Sequence, residues 1–182
     1  VDVTVPDLDE ARILGLILLG AEGPSGVEPV LKANIGKLAL DLQVLLALGD
    51  TVTARDYLKA QRARGRQCDA WREVLSGVDA VLMPSAGMPA GKIFADALTT
   101  GEIDEVSSAK AISCTFPANL TGYPAVSVPC GRVSGLPVAA QIVAPPWHEA
   151  RALALGAAIE RSGLYRWQRP ARYFADRILG RG

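Results

Sequence analysis

One histidine, His148, lies in the segment Trp147-His148-Glu149. Any serine or cysteine hydrolysis with imidazole as the base would have to use it. Its position at the start of a helical pattern gives it the plainer role of a capping or surface residue. Ser107-x-x-Lys110 has the spacing by which a lysine one turn further along a helix activates a serine for acyl transfer. The lysine-threonine-glycine triplet that accompanies this pattern occurs nowhere in the chain. Cys114 stands beside Thr115 without a base nearby in sequence, which makes it a buried thiol and not a nucleophile. There is no G-x-S-x-G elbow, phosphate-cradling glycine loop, paired-carboxylate constellation or metal-ligand cluster. The residues by themselves predict no catalytic group, no cofactor and no metal ion.

Composition narrows the partners. The 19 basic residues equal the 19 acidic ones, so nothing draws the chain to nucleic acid or to an anionic membrane. Arg55, Lys59, Arg62, Arg64, Arg66 and Arg72 share a helical stretch, and without interleaved aromatics they read as a solvated face. The longest apolar run, Ile13 to Ala21, is broken by Gly15 and Gly20 and is too short to span a bilayer. Cys68, Cys114 and Cys130 are odd in number and widely spaced, as expected of buried thiols in a cytoplasmic protein.

The elements that must position any site follow from periodicity. At 182 residues the chain suits one domain. Val1, Val3 and Val5 alternate with polar residues and predict a strand ended by Pro6; a chain that opens inside a strand is expected to have a start set by truncation, processing or missing residues. Asp7 or Asp9 caps a helix with Ala11, Leu14, Ile17, Leu18 and Ala21 on its apolar positions. A second helical pattern runs from Glu28 to Leu48, weak at Gly36. Thr51 caps a third, carrying Leu58, Cys68, Trp71 and Leu75. Asp79 to Pro84 is a buried strand, and Ser85 to Ala109 a long surface excursion with helical turns near Ile93 to Leu98. Pro124–Gly131 and Leu136–Pro145 are strands joined by a hairpin at Val133-Ser-Gly135. Their nearly unbroken apolar character calls for cover on both faces. A last helix has Glu149 in its first turn, Arg161 in its last and Gly163 beyond, matching the helix dipole. The alternation is α/β.

Several segments, in order, resemble the last third of amidase-signature enzymes. They are Asp56-Tyr-Leu-Lys-Ala-Gln61 with Arg64, Val78-Asp-Ala-Val-Leu-Met-Pro-Ser85, Thr115-Phe-Pro-Ala-Asn-Leu-Thr-Gly-Tyr-Pro124 with its strand, and Gly135-Leu-Pro-Val-Ala-Ala-Gln-Ile-Val-Ala144 followed by Trp147-His-Glu-Ala150. The resemblance implies an α/β/α sandwich around a mixed sheet, with residues 1–182 forming the carboxy-terminal part of a single domain. It also implies carboxamide hydrolysis by a serine nucleophile, a second serine in a cis peptide and a lysine base. Those groups belong to an amino-terminal glycine- and serine-rich signature with no counterpart here, so the chain is expected to be inactive alone.

The same resemblance assigns substrate contact to the segment before the Asn119 block, hence to Thr115, Ile112, Phe116 and Ala118. Glutamine-using members of the family place an arginine and an aspartate where this chain has Val44 or Leu45 and Ile112. Apolar residues cannot pair with an ammonium or carboxylate, which favours a general or apolar amide. The expected partners are the amino-terminal half of the domain, or a second copy of the chain, and a small-molecule amide. A non-catalytic binding or scaffold module derived from an amidase is the rival reading.

Overall fold

In the computed structural model, residues 1–92 and 104–166 are described. The first helix, α1 (Leu8–Glu22), starts where Asp7 Oδ1 accepts the backbone N–H groups of Asp9 and Glu10 at 2.8 and 3.1 Å. Its buried Ala11, Leu14 and Leu18 meet Ala60 and Ala63 of α4 (Ala54–Ser76), a close approach that alanines permit. On α4 the buried positions Ala60, Ala63, Gln67, Trp71 and Leu75 recur every three or four residues, forming one continuous stripe.

Between these helices lie α2 (Glu28–Asn34), a 3₁₀ turn at Ile35–Lys37 and α3 (Leu40–Gly49). The single long pattern expected from Glu28 to Leu48 is thus divided, with Gly36 inside the 3₁₀ turn. α3 crosses α1 at Gly20 and Gly49, where a Cβ on Gly49 would collide with the Gly20 carbonyl oxygen. Only a backbone without side chains fits this crossing.

The sheet is formed by β1 (Val81–Pro84), β2 (Ala125–Val133) and β3 (Leu136–Val143), ordered β1-β3-β2 and antiparallel throughout the described strands. Ser134 and Gly135 both take positive φ, 51° and 80°, as a two-residue hairpin turn of the primed type requires. A register shift between Pro129 and Gly131 leaves Cys130 as the extra residue of a bulge. One sheet face is covered by α7 (Glu149–Arg161), whose Ala152 and Gly156 lie against Val126, Val128 and Ile142. The other is covered by Trp71 and Leu75 of α4 with Tyr123, around Val81 and Val143. Helices on both faces of the sheet make the α/β/α arrangement that the family resemblance implies.

Four local expectations are corrected. Val1–Pro6 forms no ladder; Val5 instead packs beside Trp71, and the segment borders a cleft along the outer edge of β1. Thr53, not Thr51, caps α4 by accepting the Asp56 N–H, while the Thr51 hydroxyl bonds back to Leu48. The stretch read as loop to Ala109 contains the start of α5 (Glu105–Ile112), and the block after Thr115 folds into α6 (Phe116–Thr121). Of the three thiols only Cys114 is buried; Cys68 is partly covered and Cys130 exposed. The helical turns expected near Ile93 to Leu98 lie outside the described residues. No helix among the described residues is long and apolar enough to cross a membrane.

Candidate functional site

The joint between α5 and α6 lies over the sheet face that α4 also covers. α5 begins at Asp104, whose carboxylate accepts the Ser107 N–H and the Ser107 hydroxyl, the latter at 2.6 Å. Those bonds hold the Asp104 carboxyl below its ordinary range, the Ser107 hydroxyl contributing most. They also settle the Ser107-x-x-Lys110 pattern. The serine proton is donated to a capping carboxylate, and Lys110 points its side chain into solvent at the last turn. The carboxylate that receives this proton is held below its ordinary range and is too weak a base to activate the hydroxyl.

His148 is also accounted for. It is exposed at the N-terminal boundary of α7, with Nδ1 2.9 Å from the Pro146 carbonyl oxygen. Its neighbour Trp147 adopts φ 66° and is almost wholly exposed. The Cys114 Sγ lies 3.7 Å from the Ser113 hydroxyl, which offers no base. Among the described residues no three His, Cys, Asp or Glu side chains gather as metal ligands.

Three side-chain bonds to the main chain hold the α5–α6 segment from different directions. Gln141, buried in the middle of β3, donates Nε2–H to the Cys114 carbonyl at 2.8 Å. Arg64 donates Nε–H to the Leu120 carbonyl at 2.5 Å. The Tyr123 hydroxyl donates to the Cys68 carbonyl at 3.0 Å, and burial pushes its pKa above the usual phenol value against the opposing pull of Arg72. Within the segment, Pro117 sits in the first turn of α6, and Gly122 ends that helix at φ 76°, donating to Ala118. The Asn119-Leu-Thr-Gly-Tyr-Pro124 block is therefore a helix end, a left-handed cap and a strand entry in six residues.

The four residues assigned to substrate contact fall into two pairs. Ile112 and Thr115 bracket the joint and are partly exposed, with the Thr115 hydroxyl donating to the Ile112 carbonyl at 2.9 Å. Phe116 and Ala118 pack inward. The Phe116 ring fills the space over Gly15 of α1, and Ala118 is buried.

Next to the joint a cavity of about 940 Å³ opens at the hairpin end of the sheet. Its walls are the loop from Ser85 to Ala90, Ala111, Pro129, Cys130 and the segment Pro137–Ala140. The Ser85 and Ser127 hydroxyls are hydrogen-bonded at 2.8 Å near it. Gly87 donates its N–H to the Lys110 carbonyl, fastening the loop to α5 where a Cβ would not fit. A second, smaller groove of about 570 Å³ lies between α2 and α3, with Leu31, Ile35, Val44 and Ala47 among its walls.

Sequence reasoning did not single out Gln141, Ser85 or Ser127. Gln141 was detectable as the one polar side chain in the run from Leu136 to Val143, which no isolated apolar strand would bury. The hydroxyl pair joins residues 42 positions apart and had no local signal.

The Amidase family model matches residues 23–153. A fatty acid amide hydrolase of Medicago truncatula is 36% identical over 96% of the chain, which spans 29% of that relative's length. A glutamyl-tRNA(Gln) amidotransferase subunit from Tropheryma whipplei is 40% identical over 58% of the chain and 19% of its own length. A crystal structure of an amidase superposes with a TM-score of 0.73 at 28% identity, over 85% of the chain and 36% of that structure.

Proposed function

The chain belongs to the amidase-signature family, and from that premise we propose that it forms the carboxy-terminal fold and acyl-pocket wall of an enzyme hydrolysing a carboxamide to a carboxylate and ammonia or an amine. The serine nucleophile, second serine and lysine base come from polypeptide outside these 182 residues. An amide resists attack until its carbonyl is polarised and a nucleophile is activated, and these two effects provide most of the rate. Among the described residues Ser107 is engaged as a cap, Cys114 has only the Ser113 hydroxyl beside it and His148 faces solvent, so none of the three forms such a device. The chain contributes shape instead.

The observation that supports this reading most strongly is the family match across residues 23–153, which encloses the α5–α6 joint and the hairpin. Ile112 and Thr115 at the joint are the residues of the wall that meet the acyl group, with Phe116 and Ala118 supporting them from behind. The substrate is an apolar acyl amide and not glutamine. Ile112 and either Val44 or Leu45 cannot pair with a charged head group, and the fatty acid amide hydrolase match extends over more of the chain than the amidotransferase match.

The test is an ammonia- or amine-release assay on long- and short-chain acyl amides. The 182-residue chain is assayed alone and together with the amino-terminal portion of the protein, co-expressed. The chain alone should be inert and the combination active, unaffected by Ser107→Ala. Turnover by the chain alone, abolished by Ser107→Ala, would overturn the reading. An inert combination would favour the scaffold alternative.

A further inference from the structure

We propose that Gln141 is a positioning residue for the pocket wall: its carboxamide holds the Cys114 carbonyl and thereby sets, from the sheet, how Ile112 and Thr115 are presented to substrate. This rests on the reading of the α5–α6 joint as substrate wall.

The argument begins with a side chain that apolar packing would not select. Gln141 is 5% exposed in a strand otherwise made of Leu, Pro, Val, Ala and Ile. A buried carboxamide is unfavourable unless it is hydrogen-bonded, and its bond runs to Cys114, 27 residues earlier in sequence. Ladder pairing puts Met83, Gln141 and Ser127 side by side on one sheet face, where the Ser85 and Ser127 hydroxyls meet. Gln141 thus lies beside the Ser85–Ser127 hydroxyl pair on a face otherwise lined by apolar side chains.

The joint's other side-chain bonds are local. The Ser113 hydroxyl donates to Lys110 and the Thr115 hydroxyl to Ile112, each three residues away. These bonds fix the shape of the joint but not its placement on the sheet. Gly87 ties α5 to the loop after β1, and Phe116 ties α6 to α1. Between those two points the bond from Gln141 connects the joint to β3. It acts on the peptide group joining Cys114 to Thr115, so rotation of that plane would turn the Thr115 side chain and shift Ile112 through the bond they share. A first layer of contacts is only as well placed as the residues behind it.

The experiment uses the full-length protein with two substitutions. Gln141→Met keeps length and removes the donor. Gln141→Glu is nearly isosteric and, as a carboxylate, also has no donor; protonated, it regains an O–H that can donate to the Cys114 carbonyl. For a long-chain acyl amide, both variants should raise KM about tenfold near neutral pH with kcat little changed, the signature of lost ground-state placement. Lowering the pH should restore KM in Gln141→Glu and not in Gln141→Met. Backbone hydrogen exchange should accelerate at Cys114–Phe116 in both variants and stay unchanged around Trp71.

Unchanged KM with a lowered melting temperature would overturn the proposal, as would equal pH behaviour of the two variants. If the unsubstituted protein hydrolyses no amide, the proposed function fails, and hydrogen exchange then decides the role of Gln141 alone. Loosening confined to the joint supports it as the tie; uniform loosening, or none, overturns it.

Discussion

The two ends of β3 occupy opposite environments. At Ile142–Ala144 the strand is almost wholly buried, with Ala152 of α7 on one face and Trp71 and Tyr123 on the other. At Leu136–Ala140, a few residues away on the same strand, the side chains are exposed or half-covered, and Pro137–Ala140 line the large cavity. Composition does not account for the difference, because both ends are apolar. Coverage does: α4 and α7 clasp one end, while among the described residues the loop Ser85–Ala90 and Ala111 border the other. The fold concentrates its cohesion at one end of the strand and leaves room at the other.

Removing the clasp should have the largest effect. Trp71 is 1% exposed, and Trp71→Ala should cost about 3–5 kcal/mol, read as a lower urea midpoint at unchanged slope. Gly156→Val tests the opposite face by overfilling it. An added Cβ would lie 3.1 Å from Val128 and 3.3 Å from Val126, so a loss of about 1–3 kcal/mol is expected in the same measurement. A smaller loss than for any exposed substitution would show that α7 does not clasp the strand.

A substitution near the open end should affect binding more than stability. Ile112→Asp in the active protein should raise KM for apolar acyl amides about tenfold, equivalent to about 1.4 kcal/mol, with little change in melting temperature. Leu136→Ser, on the exposed stretch, should change stability by less than about 0.5 kcal/mol. A loss comparable to that of Trp71→Ala would mean the two ends of β3 do not differ as described.

The smallest effect concerns the cap of α5. The Asp104 carboxyl is held below its unfolded value, so its contribution is present above the ordinary 3.8 and is lost as pH falls through the lower folded value. Ser107→Ala should move its titration back toward 3.8, measured by carboxyl NMR shifts, without affecting the clasped end of β3.

Much of the clasped end was legible in sequence. The three strands, the Ser134–Gly135 turn, the Asp7 cap and the dipole-matched α7 each follow from periodicity or from one residue's conformational preference. Val1–Pro6 shows where this logic stops. Alternation describes a strand's faces but cannot supply a partner edge, and among the described residues the segment has none to pair with. α5 and α6 were missed for a different reason. They are short, rich in Ser, Thr and Ala, and held by contacts with Arg64, Gln141 and α1 more than by their own propensity. The segment proposed to meet substrate was assigned through family resemblance. Its attachment to β3 was not, because a bond spanning 27 residues has no local spacing.

The hairpin turn at Ser134–Gly135 also acts as a phase setter. With two left-handed residues there, odd and even positions of β3 divide cleanly: Gln141 and Val143 toward α4, Ile142 and Ala144 toward α7. One extra residue carried from that turn into the strand would exchange the two sets, turning the carboxamide into the layer beneath α7 and leaving the Ala140 methyl opposite the Cys114 carbonyl. The spacing of a turn at the rim thus fixes the parity of every contact inside.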